Sequence, residues 1–153
     1  MSEAERAGRP PLAVRLLHPD ARVPARAHPG DAGLDLVAVS GAQLAPHGGR
    51  AAVPTGIAVA IPHGYAGLVL PRSGLAARHG ITLSNAPGLI DAGYRGELVV
   101  LMVNLGDKAH AIHAGERIAQ LVIAPIALCA VAVVDELPAS DGRGVGGFGS
   151  TGV

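Results

Sequence analysis

A chain of 153 residues is enough for one domain with its own core, since at this size roughly 70% of the unfolded surface can be buried. Twelve Lys and Arg balance twelve Asp and Glu, so no net field draws the chain to a nucleic-acid polymer or an anionic membrane. No apolar run approaches the ~18 residues of a membrane span and none follows Met1 as a signal would, which makes a soluble, cytoplasmic protein the expectation.

Glycine and proline number 22 and 12, yet 49% of the chain is hydrophobic, which describes a turn-rich globular domain and not a disordered chain. With two Tyr, one Phe and no Trp, the core must be aliphatic, and an aromatic ring outside it calls for an explanation. Residues 1–10 mix charges, Gly and Pro without periodicity and read as a disordered tail. From residue 11 onward, short aliphatic and β-branched runs at 12–17, 34–39, 51–61 and 65–70 predict strands. They are punctuated by turn clusters such as His28-Pro29-Gly30, Pro46-His47-Gly48-Gly49 and Pro62-His63-Gly64. Residues 73–79 carry the one helical signal, with Ser73 as N-cap and Gly80 as the stop. Further strands are expected at 98–103, 117–123 and 126–134. Turns about ten residues apart, with almost no 3.6-residue periodicity, predict an all-β sandwich or barrel in a single domain over 11–138. Cys129, the single cysteine, falls in the apolar run 124–134 and reads as a small buried hydrophobe of a reducing compartment. After Asp135 the composition turns to Pro, Ser, Gly and Asp, so 139–153 read as a flexible arm.

Four polar segments interrupt this pattern. Gly30-Asp31-Ala32-Gly33-Leu34-Asp35-Leu36 sets two carboxylates four residues apart at the mouth of a strand. Asp31 reads as a turn residue, whereas Asp35 needs a partner, a water or a metal, because an unpaired charge within a strand is costly. Pro71-Arg72-Ser73-Gly74-Leu75-Ala76 passes from strand to helix with Arg and Ser at the junction, either an ordinary cap with a surface Arg or an anion site. The segment 84–97, SNAPGLIDAGYRGE, reads as a hairpin with Asn85, Asp91 and Tyr94 near its bend. Hairpin turns use Asn, Asp and Gly for conformational reasons alone. A hairpin also offers backbone donors and acceptors in fixed order, fit to read the edge of a base, with Asp91 as general base for a water. Turn grammar leaves Tyr94 unexplained.

The fourth segment is the C-terminal arm. Gly144-Val145-Gly146-Gly147-Phe148-Gly149 matches G-x-G-x-x-G, but only four residues follow, too few for the helix of a dinucleotide fold. What remains is a glycine nest with one cation, Arg143, and one flat ring, Phe148, suited to the phosphates and base of a nucleotide. His110 and His113 lie three apart without a Cys or carboxylate at ligand spacing. Zinc is therefore not expected, and all seven histidines read as surface or loop residues.

Taken in order, DAGLDL, PRSGLA, NAPGLIDAGYRGEL, RIAQLV and GRGVGGFGSTG resemble, in register over residues 26–152, the homotrimeric dUTP diphosphatase (dUTPase) family. The resemblance implies a jelly-roll-like β fold, a homotrimer whose three active sites each draw on all three chains, and hydrolysis of dUTP to dUMP and pyrophosphate with Mg²⁺. Asp91 would orient and deprotonate the water attacking the α-phosphorus, with Gln120 and Ser73 completing the catalytic set. Asn85, with backbone groups of Leu89, Ile90, Asp91 and Val99, would line the uracil and deoxyribose pocket, and Tyr94 would stack under the sugar, leaving no room for a 2′-hydroxyl. Arg72, Ser73 and Gly74 would hold phosphates from a neighbouring subunit, Gln120 would reach the phosphate and water cluster, and Asp35 would hold magnesium through its waters. Arg143 would grip the γ-phosphate, Phe148 would close over uracil, and Gly149, Ser150 and Thr151 would touch phosphates. Pro125 would be the hinge after which the chain crosses to another subunit. The family pattern is faint before residue 26 and loose over 131–141. Two other readings fit parts of the pattern: a dCTP deaminase of the same fold, which needs a general-base Glu and has Glu97 as the only nearby Glu, and a catalytically silent nucleotide-binding jelly roll.

Overall fold

The computed structural model describes residues 10–140, 142, 144 and 145. Its elements are β1 (Ala13–Leu16), β2 (Leu34–Val37), β3 (Ala42–Leu44), β4 (Gly49–Ala60), β5 (Tyr65–Leu70), α1 (Ser73–His79), β6 (Ile81–Leu83), β7 (Gly88–Ile90), β8 (Glu97–Asn104), β9 (His110–Ile112) and β10 (Arg117–Pro125). All the strand pairings are antiparallel. One sheet has the order β1-β4-β8-β6, a second the order β2-β10-β5-β7, and β3 with β9 forms a separate ribbon.

The two four-stranded sheets share one core. Val53, Ile57, Val59, Leu98, Val100 and Met102 enter it from the first sheet, and Leu36, Val69, Ile118 and Leu121 from the second. Along β8 the pleat separates buried Leu98, Val100 and Met102 from Val99 and Leu101, which are 43% and 41% exposed on the outer face. Each fully buried aliphatic side chain is worth roughly 1.5–3 kcal/mol, so the core holds without large rings, as the composition requires. Tyr65 packs against its margin.

Strands expected at 12–17, 34–39, 51–61, 65–70, 98–103 and 117–123 are present with ends shifted by at most two residues. The strand expected at 126–134 is absent. β10 ends at Pro125, which has no N–H for a ladder, and beyond it Val131 and Val133 are 96% and 98% exposed. Cys129 is accordingly exposed, not buried. Nor is 84–97 a hairpin: β6 pairs with β8 while β7 pairs with β5, so the chain crosses between the sheets twice. The close approach of β7 to β5 is made through Gly88, where a Cβ would lie 3.3 Å from Val69 Cβ. In α1 the N-cap is Arg72, with extended φ −92° and ψ 125°, and Ser73 is the first helical residue and caps nothing. Gly80 does close the helix, at φ 67°, with its N–H directed to the carbonyls of Ala76 and Leu75. One histidine departs from the surface-or-loop expectation: His110 is half-buried on β9, its ring centroid 4.6 Å from that of His79. No helix among the described residues is long and apolar enough to cross a membrane.

Candidate active site

Two clefts carry most of the residues singled out by the sequence. The more polar, of ≈ 380 Å³, lies where β2, β10 and the end of β5 meet, and its walls include Asp35, Arg72, Ser73, Gly74, Arg117 and Gln120. Asp35 and Leu70 are both cross-strand partners of Gln120. Directly opposed residues share a face, so the pairing of β2 with β10 sets Asp35 beside Gln120, next to the 71–74 loop. Gln120 Nε2 donates to Pro71 O at 3.0 Å and so fixes the start of that loop. Gly33 gives the amide its room: a Cβ there would sit 3.1 Å from both Cβ and Cδ of Gln120 and overlap Oε1.

Asp35 has the partners its place in a strand demands. Arg117 Nη1 donates to Asp35 Oδ2 at 3.1 Å, and Arg72 Nε lies 3.8 Å from Asp35 Oδ1. Arg72 Nη1 in turn donates to Arg117 O at 2.8 Å, tying the two arginines together. These groups remain partly exposed, so each ion pair is worth at most about 1 kcal/mol, and its main effect is to aim the guanidinia along one wall. Arg117 was missed by the sequence reading. Its only signal was a cation opening the RIAQLV strand, where a solubilising residue is ordinary. Asp31 is the turn residue expected, its Oδ2 accepting the His28 N–H at 2.9 Å. Among the described residues no three His, Cys, Asp or Glu gather to hold a metal. Asp35, paired with two guanidinia, fits a Mg²⁺ held by phosphates and its own waters better than a protein cage.

The second cleft, of ≈ 240 Å³, is lined by Leu89, Ile90 and Asp91 at the end of β7 and by Tyr94, Glu97 and Val99 leading into β8. A turn joins the two sides, Tyr94 N donating to Asp91 O at 3.0 Å. Leu89, Tyr94 and Val99 are 62%, 45% and 43% exposed, an apolar recess open to solvent. Asn85 is not among its walls; its Nδ2 lies at the other end of β7, 3.3 Å from where a Gly88 Cβ would stand. Arg143, Phe148, Gly149, Ser150 and Thr151 lie outside the described residues.

Strands β2 and β7 are the two opposite edges of one sheet, with β10 and β5 between them. Along the strands the separation is also large. Ile90 is the partner of Gly67 and Gly88 that of Val69, so Arg72 follows β5 past the Gly88 end of β7 while Asp91 leaves from the Ile90 end; from Gly67 to Leu70 alone the strand advances about 10 Å.

A cleft walled by arginines and a separate apolar recess edged by a carboxylate and a ring define a nucleotide-handling protein, one half suited to phosphates and the other to a base on its sugar. The family model described as dUTPase matches residues 19–152, and the chain belongs to the dUTPase family. It is 57% identical over 141 residues to the deoxyuridine 5'-triphosphate nucleotidohydrolase of Thermobifida fusca (strain YX), spanning 91% of this chain and 77% of that one. A mutant of the Staphylococcus bacteriophage 80alpha dUTPase, solved with dUpNHpp, superposes with a TM-score of 0.86 at 34% identity, over 94% of this chain and 99% of that one. A mutant dUTPase from phage phi11 of S. aureus, reported with a structural Mg(II) ion, gives a TM-score of 0.78 at 33% identity, over 85% of this chain and all of that one (100%).

Proposed function

We propose that the protein is a dUTP diphosphatase. It hydrolyses dUTP to dUMP and pyrophosphate in the cytoplasm, limiting uracil incorporation into DNA and supplying dUMP for thymidylate synthesis. The observation that carries the mechanism is the placing of two complementary half-sites on opposite edges of one sheet. In a homotrimer the base recess of one protomer would face the phosphate cleft of another, and one nucleotide would join the two.

Uracil and deoxyribose enter the recess, where Asn85 and the backbone of Leu89, Ile90, Asp91 and Val99 read the base and Tyr94 lies under the sugar. Asp91 accepts a hydrogen bond from the attacking water, aims it at the α-phosphorus and takes its proton. Arg72, Ser73 and Gly74 of the neighbouring chain hold the phosphates. Gln120 commits Nε2 to Pro71, so its Oε1 remains as an acceptor for water. Within the phosphate cleft Arg72 and Arg117 are balanced by Asp31 and Asp35, so a triphosphate of about four negative charges needs cations from elsewhere. Arg143 of the arm is one. Mg²⁺, when bound, offsets charge on the phosphates and the departing pyrophosphate, with Asp35 holding its water shell. The arm 139–153 then closes as a lid, Phe148 over uracil and Gly149, Ser150 and Thr151 on phosphate, and excludes bulk water.

The deaminase reading requires a free carboxylate at the base, but Glu97 Oε1 is occupied by the Gly56 N–H at 2.7 Å. Substitution Asp91→Asn tests the proposal. Pyrophosphate release from dUTP falls by ~10² or more while dUTP still binds, and near-normal release removes Asp91 from its role.

A further inference from the structure

Strand β4 carries a bulge against β8 between Pro54 and Ala58. A bulge leaves a backbone group without its ladder partner, and the residue in question is Gly56. Its φ is +67°, and a Cβ there would lie 2.8 Å from His18 Cβ and 2.9 Å from Val39 Cγ1, so neither the backbone nor the space admits another residue. The Gly56 N–H is taken by Glu97 Oε1 at 2.7 Å. Next to it Thr55, 1% exposed, donates its hydroxyl to Leu98 O at 2.6 Å. The start of β8 is thus fastened to the bulge at two successive residues.

That fastening reaches the recess. Tyr94 Oη donates to Glu97 O at 3.0 Å. The ring lies directly over Gly96, where a Cβ would fall 2.6 Å from Tyr94 Cζ and 3.0 Å from Cε2. Being 45% exposed, the ring takes its tilt from these two contacts and from the turn at Asp91. We infer that Glu97 is a positioning residue: its carboxylate, captured by the bulge at Gly56, holds the carbonyl that orients Tyr94, and so sets how strictly the enzyme rejects a 2′-hydroxyl. This role rests on the dUTPase reading of the recess and deepens it. It assigns ribose discrimination to a group that acts through Tyr94, and it explains a carboxylate on the wall of the recess that performs no proton transfer there.

The test compares kcat/KM for dUTP and for UTP in the parent enzyme and in Glu97→Ala, Glu97→Gln and Glu97→Asp, alongside thermal melting of each. Glu97→Ala lowers the dUTP:UTP ratio by about tenfold or more, chiefly through a lower KM for UTP. Glu97→Gln keeps an acceptor at the same reach and restores the parental ratio. Should Glu97→Ala fail to fold, Glu97→Asp, one methylene too short to meet Gly56, carries the same expectation. An unchanged ratio in a folded Glu97→Ala or Glu97→Asp overturns the positioning role, whatever happens to the melting temperature. A parent that releases no pyrophosphate from dUTP overturns the function itself, a distinct result.

Discussion

A site divided between chains has a measurable consequence when two damaged proteins are combined. Take Arg72→Ala, which removes a phosphate ligand, and Asp91→Asn, which removes the base; each alone leaves every site defective. The register of β7 on β5 puts Arg72 past the Gly88 end of β7 and Asp91 past its Ile90 end. In the proposed trimer a working site takes Asp91 from one chain and Arg72 from its neighbour. When the two variants are denatured together in equal amounts and reassembled at random, half the chains offer an intact Asp91. Half of their neighbours offer an intact Arg72, so about one quarter of sites are whole. Had both residues come from the same chain, none would be, because every chain carries one lesion. The assay is pyrophosphate release from dUTP by the co-refolded mixture, with the variants refolded separately and then mixed as control. Recovery near one quarter of parental activity is expected only after co-refolding. Activity no higher than the sum of the separate variants, in a mixture shown by size to have reassembled, refutes the shared site.

Deleting residues 142–153 removes the proposed lid but none of the strands, which end at Pro125. Turnover is lost while thermal melting stays close to that of the parent, and an unfolded product would make the segment structural. The pH dependence of stability is set partly away from the site. His110 lies below its ordinary 6.5 because burial, and then the charge of His79, outweigh the pull of Glu116. Glu116 also lies below its ordinary 4.5: burial pushes it up, but the hydrogen bonds and charge of His113, with Nδ1 2.9 Å from its Oε1, outweigh that. Both groups hold fewer protons folded than unfolded, so stability falls as pH drops through 6.5 for the first and through 4.5 for the second. Substituting His110→Gln flattens the melting temperature against pH just below 6.5 and leaves the acid limb near 4.5; a slope unchanged in the upper range rules out His110 as its source.

Long strands were legible because they show the pleat: in β8, Leu98, Val100 and Met102 point one way and Val99 and Leu101 the other. Strands β3, β6, β7 and β9 have three residues each, too few to display alternation, and exist only because a partner is in register. Residues 126–134 show the opposite failure. Their β-branched composition suits a strand, but strand propensity is a fit to neighbours, and no sheet of the same chain receives them. Side chains followed the same division. Asp35 was conspicuous because a carboxylate between two leucines demands a partner, whereas the partner, Arg117, lies 82 positions away and is brought to it by the β2–β10 pairing alone. Tyr94 stood out as the residue that turn grammar leaves over, even though the hairpin inferred around it is absent.

The arm after Pro125 and the divided clefts make the same demand on assembly. Ile126, Leu128, Val131, Val133, Val134 and Leu137 are between 43% and 98% exposed. A Leu, Ile or Val moved from water into a core gains roughly 1.5–3 kcal/mol, a term the isolated chain leaves unused. In the proposed trimer a neighbouring protomer supplies the surface that the chain's own sheets do not. Proline at the exit of β10 stops the ladder and lets the arm leave its own sheet. In that proposed trimer the arm would bury these side chains on a neighbour and bring Arg143 and Phe148 to a site that no single chain completes, so assembly and completion of the site would be one event.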